Sequence, residues 1–225
     1  MQVATEALIK SGRVHKAFCR LYLPFYDLSD DFFLDHFGIF ASIEAWVYEN
    51  DNWNEICNPG SGPRDISEVA EFIEKQQLRS SHFSIFLRSG IKYWLLERRL
   101  AAGDVPAIRD VLVGARLRSF DFRLLHLTAL VLSGIPIDRQ VFRRFSQFEA
   151  IMELDDDLGT IEEDQDRKAF NIASSIRSYG NECFGRYKHE LVSRFKMTMG
   201  VDVRFRLVAR RYVELVPATI LVQDY

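Results

Sequence analysis

The sequence predicts an all-α protein, a single-domain helical bundle, on three observations. Apolar residues recur at three- and four-residue spacing almost throughout, no run alternates apolar and polar residues convincingly enough for a strand, and no repeat occurs at a solenoid period. At 225 residues with 48% apolar content the chain can bury one sizeable core, and no Pro-, Gly- or Ser-rich linker divides it.

Taken in order, the spacing predicts helices over 3–22, 30–56, 65–78, 81–102, 105–115, 119–133, 138–165, 167–198 and 202–215. Asp30, Ser81, Asp104, Ser119 and Asp138 stand where N-caps are needed, since their short side chains can accept from the orphan N–H groups of a first turn. Asn58-Pro59-Gly60-Ser61-Gly62-Pro63 is dense in breakers and reads as a loop.

Composition excludes several classes of function. A formal charge of -3 with mixed signs lacks the concentrated basic face on which nucleic-acid affinity rests. Cys19, Cys57 and Cys183 are few, odd in number and without CxxC spacing, so neither a disulfide framework nor a zinc site is indicated and a reducing cytoplasm is the expected setting. The N-terminus has no apolar core of signal-peptide type, and no stretch reaches the ~18 apolar residues of a membrane span. His15, His36, His82, His126 and His189 are scattered, and no HExxH, Walker A, GxGxxG or GxSxG context occurs. The acidic stretch also lacks the glycine-centred loop of an EF-hand.

That stretch runs from Met152 to Asn171 and holds Asp155, Asp156, Asp157, Glu162, Glu163, Asp164 and Asp166, with no basic residue before Arg167. On a helix Asp156, Thr160 and Asp164 share one face over two turns, a disposition suited to a hard cation. Stepping back along the face gives Met152, Phe148, Phe145 and Val141, so the expectation is that an apolar stripe passes into a carboxylate ladder without changing sides. Consecutive acids repel one another and are disfavoured at a helix C-terminus, and a bound divalent metal removes both objections. The alternative is a solvated acidic helix end.

The stretch Asp156-Asp157-Leu158-Gly159-Thr160-Ile161-Glu162-Glu163-Asp164 resembles the metal motif of class I terpene synthases, (N/D)D(L/I/V)x(S/T)xxxE, with Asp in the last place. It also resembles the second aspartate-rich motif of the trans-prenyltransferases, which share the isoprenoid synthase fold, although Thr160 stands where DDxxD has an acid. Earlier, Phe37, Phe40, Glu44, Val47 and Tyr48 lead along a helix face to Asp51 and Glu55, and Asp51-Asn52-Trp53-Asn54-Glu55 resembles a degenerate DDxxD. A helix end running into a loop is the alternative there.

The resemblance implies Mg²⁺ held by Asp51, Glu55, Asp156, Thr160 and Asp164, with Asp156, Thr160 and Asp164 at the centre of catalysis. It also implies basic groups that complete a diphosphate site. Arg118 is the candidate sensor, with Arg109, Arg116 and Arg123 competing; Arg167 and Lys168 follow the acid directly; and Arg210-Arg211-Tyr212 looks like the terminal Arg-Tyr, so that Arg211 and Tyr212 join the site. A cation-forming cavity needs aromatic walls, because ring faces stabilise a cation without attacking it. Phe40, Phe145 and Phe148 are the aromatics on the metal-bearing faces.

The implied activity is Mg²⁺-dependent ionisation of an allylic prenyl diphosphate, such as farnesyl or geranylgeranyl diphosphate, with release of diphosphate and then cyclisation. Prenyl transfer to a co-substrate and a non-catalytic helical module binding a basic partner are the alternatives. The expected partners are the prenyl diphosphate and, as an allowed oligomeric state, a second copy in a homodimer, with no nucleic acid and no integral membrane segment.

Overall fold

A computed structural model describes residues 5–56, 66–101, 107–167 and 169–222 of the chain. The expected all-α class holds: the described residues form helices and connecting turns, and no strand occurs among them. Their contacts gather into two compact units, residues 1–94 with 120–138 and residues 95–119 with 139–225, so the chain leaves the first unit, enters the second, returns, and leaves again.

The first unit opens with α1 (Thr5–Leu21). Ala7, Ser11, His15, Phe18 and Tyr22 follow one another at three- and four-residue steps and are all buried, which is the spacing of one helix face. A 3₁₀ turn (Leu23–Tyr26) has Pro24 as its second residue and closes on Asp27, whose φ of 55° places it in the left-handed region. Next come α2 (Asp30–Asp35) and α3 (Phe37–Ile56). The expected single helix over 30–56 is therefore interrupted at His36. There His36 Nδ1–H donates to the Phe32 carbonyl at 2.8 Å. The cap of α2 is Ser29, whose Oγ accepts from the Phe32 N–H at 3.3 Å, and Asp30 is the first helical residue.

Helix α3 buries residues on most of its circumference, among them Phe40, Ile43, Glu44, Ala45, Trp46 and Val47. It packs against α1 and against α7 (Phe120–Ser133), which is buried almost continuously from Phe120 to Leu130. Both helices are therefore interior elements rather than amphipathic surface ones. Helix α4 (Ser67–Lys75) and the part of α5 (Ser81–Ala101) up to Trp94 complete the unit. Trp94 stands edge-on to Trp46 and to Phe120, with ring centroids 5.6 Å and 5.1 Å apart. Gly90 lets the Phe120 ring approach so closely that an added Cβ would lie 2.5 Å from it.

The second unit holds the end of α5, α6 (Ile108–Leu117), α8 (Arg139–Gly159), α9 (Ile161–Arg167), α10 (Ile172–Arg177), α11 (Asn181–Val201) and α12 (Arg204–Leu215). Two expected helices are divided here. The one over 138–165 breaks at Thr160, and the one over 167–198 gives way to α10 and α11, separated at Gly180, whose φ of 111° favours glycine. Phe145, Phe148, Phe195, Phe205 and Tyr212 form the aromatic centre of this unit, with Phe148 stacked obliquely on Phe195 and edge-on to Tyr212. The expected loop at Asn58–Pro63 and the cap at Asp104 lie outside the described residues.

Candidate functional site

Helix α8 carries the acidic stretch, and its buried stripe runs Val141, Phe145, Phe148, Ile151, Leu154 and then Asp157. The expectation that the stripe passes into Asp156 is thus corrected: beyond Phe148 the inward positions advance in steps of three, the short side of the helical period, and the inward acid is Asp157. Asp157 is 0% exposed, while the side chain of Asp156 is 68% exposed.

Each of the three consecutive acids has a different role. Asp155 fastens the segment after α12. Its Oδ2 accepts from the Tyr212 hydroxyl at 3.0 Å and from the Thr219 hydroxyl, and its Oδ1 accepts from the Ile220 N–H at 2.9 Å. Asp157 accepts from Arg118 Nη1 and from the Ile172 N–H at the start of α10. Asp156 faces outward, with Arg118 Nη2 at 3.7 Å.

Arg118 follows the last residue of α6 and is the cation of this cluster. Its Nε lies 2.9 Å from Glu153 Oε2, and Ser119 Oγ donates to the other oxygen of Glu153 at 2.8 Å. Three carboxyls, Glu153, Asp156 and Asp157, therefore surround one guanidinium. Burial pushes the Glu153 and Asp157 carboxyls above their ordinary range, against the pull of Arg118. Burial likewise raises Asp155, although Thr219, Ile220 and Tyr212 all donate to it.

Asn171 is the pivot of the same region. Its Nδ2 donates to the Asp157 carbonyl and to Asp164 Oδ2, both at 2.8 Å, and its Oδ1 caps α10 by accepting from the Ser174 N–H at 2.8 Å. At the break the Thr160 N–H bonds the Asp156 carbonyl at 3.1 Å and the Asp164 N–H bonds the Thr160 carbonyl at 2.8 Å, while the Asp157 carbonyl accepts from Asn171. The Thr160 side chain meets that of Asp164, as expected of neighbours four apart, while the Asp156 side chain faces outward beside Arg118. Thr160 Oγ lies 2.7 Å from Asp164 Oδ2 and 3.1 Å from the Asp156 carbonyl oxygen, and donates toward them.

These residues fit a hard cation in donor type. Two carboxylates and a hydroxyl offer oxygen lone pairs, and Mg²⁺ takes only one or two carboxylates from protein, with water or phosphate filling the rest. Among the described residues, no three His, Cys, Asp or Glu side chains are gathered as a ready-made metal cage.

The remaining predicted positions are distributed as follows. Asp51 is partly buried in the first unit and accepts from Trp94 Nε1. The side chains of Glu55 and Arg167, and the whole of Lys168, lie outside the described residues. Arg211 is partly exposed on α12, and Arg210 Nε lies 3.7 Å from Glu214. Tyr212 is buried, and burial followed by the Asp155 charge holds its phenol above the usual tyrosine range. Phe40 is fully buried against Phe18 and Phe33 in the first unit, and Phe145 and Phe148 are fully buried in the second.

Sequence reasoning did not find Glu153, Asp157 and Asn171 as the residues that tie this region together. Nor did it separate Glu44 from the apolar face it lies on. Glu44 is 0% exposed, neither carboxylate oxygen has a hydrogen-bond partner, and burial, then Asp121, then Asp51, raise its pKa well above the carboxylate range. No family model, no curated protein and no solved structure matches the chain.

Proposed function

We propose that the chain is a Mg²⁺-dependent class I terpene synthase, which ionises an allylic prenyl diphosphate and releases diphosphate. The observation that carries this reading is the contact of the Thr160 hydroxyl with Asp164, four residues on from an exposed Asp156 that lies beside Arg118. The motif spacing supports it as well.

Asp156 and Asp164 would hold Mg²⁺ with Thr160, whose hydroxyl lies 2.7 Å from Asp164 Oδ2. When bound, Mg²⁺ supplies Lewis-acid and electrostatic stabilisation for a departing diphosphate. Arg118 is already balanced by Glu153, Asp156 and Asp157, so its task is to limit the excess negative charge and to orient Asp156. With three carboxyls around one guanidinium, an anionic substrate is repelled unless it arrives with cations. Asp157 and Asn171 act by position: they fix the end of α8 against α10 and hold Asp164 in place.

A second reading, a non-catalytic helical module, is favoured by a specific observation. Asp155, Asp157 and Asp164 all have intramolecular donors, so much of the acid is used in holding the unit together. Diphosphate release from farnesyl and geranylgeranyl diphosphate, with and without Mg²⁺, decides between the two. Under the enzyme reading, release requires Mg²⁺ and falls to the metal-free level in Asp156→Ala/Asp164→Ala, while helical content survives. Release that never depends on Mg²⁺, or that persists in the folded double variant, refutes it; product mass then separates cyclisation from prenyl transfer.

A further inference from the structure

The C-terminal part of the second unit gathers basic residues on two successive helices. Residues 191–211 contain six basic residues, Arg194, Lys196, Arg204, Arg206, Arg210 and Arg211, against one acid, Asp202, in a chain whose net charge is -3. The acid is turned inward: its side chain is 10% exposed and pairs with Arg144 and Arg204. Glu190 and Glu214, at the edges of this span, pair with Arg194 and Arg210, and over residues 190–214 the six basic residues outnumber three acids, so the outward surface of this corner is basic on balance.

The same corner exposes aliphatic side chains. Met197 and Val201 are each 72% exposed, Val203 65% and Leu207 41%. They are not core residues left uncovered, because α11 and α12 already bury a face each, through Phe195, Thr198 and Met199 on one and Phe205, Val208 and Tyr212 on the other. Met197 and Val201 are one turn apart on the opposite side of α11, and Val203 and Leu207 are one turn apart across the connecting turn. Single exposed aliphatics are ordinary, but four in succession among Lys196, Arg204, Arg206 and Arg210 make a basic amphipathic surface.

We propose that this α11–α12 corner docks the chain onto an anionic phospholipid surface, with Met197, Val201, Val203 and Leu207 entering the headgroup boundary and the surrounding basic side chains meeting lipid phosphates. Charge decides among the occupants. An isologous contact with a second copy sets the basic face against itself. A nucleic acid satisfies the basic groups but offers nothing to four exposed aliphatic tips. A bilayer of anionic lipid supplies both an apolar interior and a negative surface. No helix among the described residues is long and apolar enough to cross a membrane, so the docking is peripheral.

The test is co-flotation of the whole chain with vesicles of phosphatidylcholine, and of phosphatidylcholine containing about a quarter phosphatidylglycerol. The chain partitions onto the anionic vesicles at least roughly tenfold better than onto the neutral ones, and added salt weakens the binding. Met197→Ser/Val201→Ser/Leu207→Ser lowers the anionic partition by about tenfold or more, and Lys196→Glu/Arg206→Glu lowers it by a similar factor. All five positions are exposed, so both variants keep the parent's helical content, which circular dichroism checks.

Absence of binding to anionic vesicles overturns the proposal. So does an unchanged partition of the triple serine variant, which reduces the binding to bulk charge. Binding to double-stranded DNA as tight as to the vesicles overturns it in favour of a general polyanion site, and a dimer in sedimentation that the triple variant abolishes, without vesicle binding, assigns the face to a second copy.

Discussion

Glu44→Gln probes an acid that the fold keeps wholly away from water. In the folded chain its carboxyl has no hydrogen-bond partner, and its pKa is raised first by burial, then by Asp121 and Asp51. The folded state thus retains the proton to higher pH than the unfolded state, whose glutamate titrates near about 4.3. The stability that the protonated acid allows is fully present below that value and is lost as the pH rises through the folded pKa. Glutamine has nearly the same shape and does not titrate. Each tenfold by which the fold tightens the acid's hold on its proton is worth about 1.4 kcal/mol above the folded pKa, and in a chain of this length 1 kcal/mol moves Tm by about 2–4 °C. The variant should therefore gain on the parent, by roughly 3–5 °C for each such tenfold, as the pH rises from about 4 to about 8. Circular-dichroism melts at a series of pH values measure this. A gap that does not change with pH, or a variant less stable than the parent at about pH 8, refutes the reasoning.

Three further outcomes are expected. Arg118→Met leaves Glu153 and the fully buried Asp157 without their cation and destabilises by about 3 kcal/mol near neutral pH, with a smaller loss in acid where the carboxyls are protonated; denaturant unfolding at two pH values measures both. Gly90→Ala and Gly12→Ala should act in opposite directions: the first places a Cβ 2.5 Å from the Phe120 ring and lowers Tm, whereas the second meets nothing within 4 Å and raises stability by up to about 1 kcal/mol. Tyr212→Phe removes one of three donors to Asp155 and costs about 1 kcal/mol in the same unfolding experiment, without changing the helical content.

The helical class was legible because the period of the apolar residues is local information, and α1 shows it at Ala7, Ser11, His15, Phe18 and Tyr22. The interruptions were harder to read. At His36 a side chain takes up the Phe32 carbonyl, and just before Thr160 the Asn171 side chain takes up the Asp157 carbonyl, and neither leaves a mark on the apolar pattern. Asn171 and Gly180 did carry a visible signal, a capping side chain and a residue suited to positive φ, inside a stretch that periodicity alone joins into one helix. Within the acidic stretch, the meeting of Thr160 with Asp164 followed from their spacing. The identity of the inward acid did not, because Asp157 is selected by Arg118 and by the N–H of Ile172, and such pairings between distant positions are absent from local periodicity.

The interleaving of the two units also sets an order of events on the ribosome. When residue 119 emerges, residues 95–119 belong to a unit whose other part, 139–225, has not been made, and the first unit still lacks residues 120–138. Those missing residues include α7, whose Phe120–Leu130 segment lies against α3 in the finished chain. At about 5–20 residues per second, their synthesis takes roughly one to four seconds, during which the side of α3 that meets α7 has no partner. The nascent protein must therefore hold two unfinished cores at once, and an arrest near residue 119 would release a chain with exposed apolar surface on both, the kind of species that chaperones retain and that aggregates when they do not.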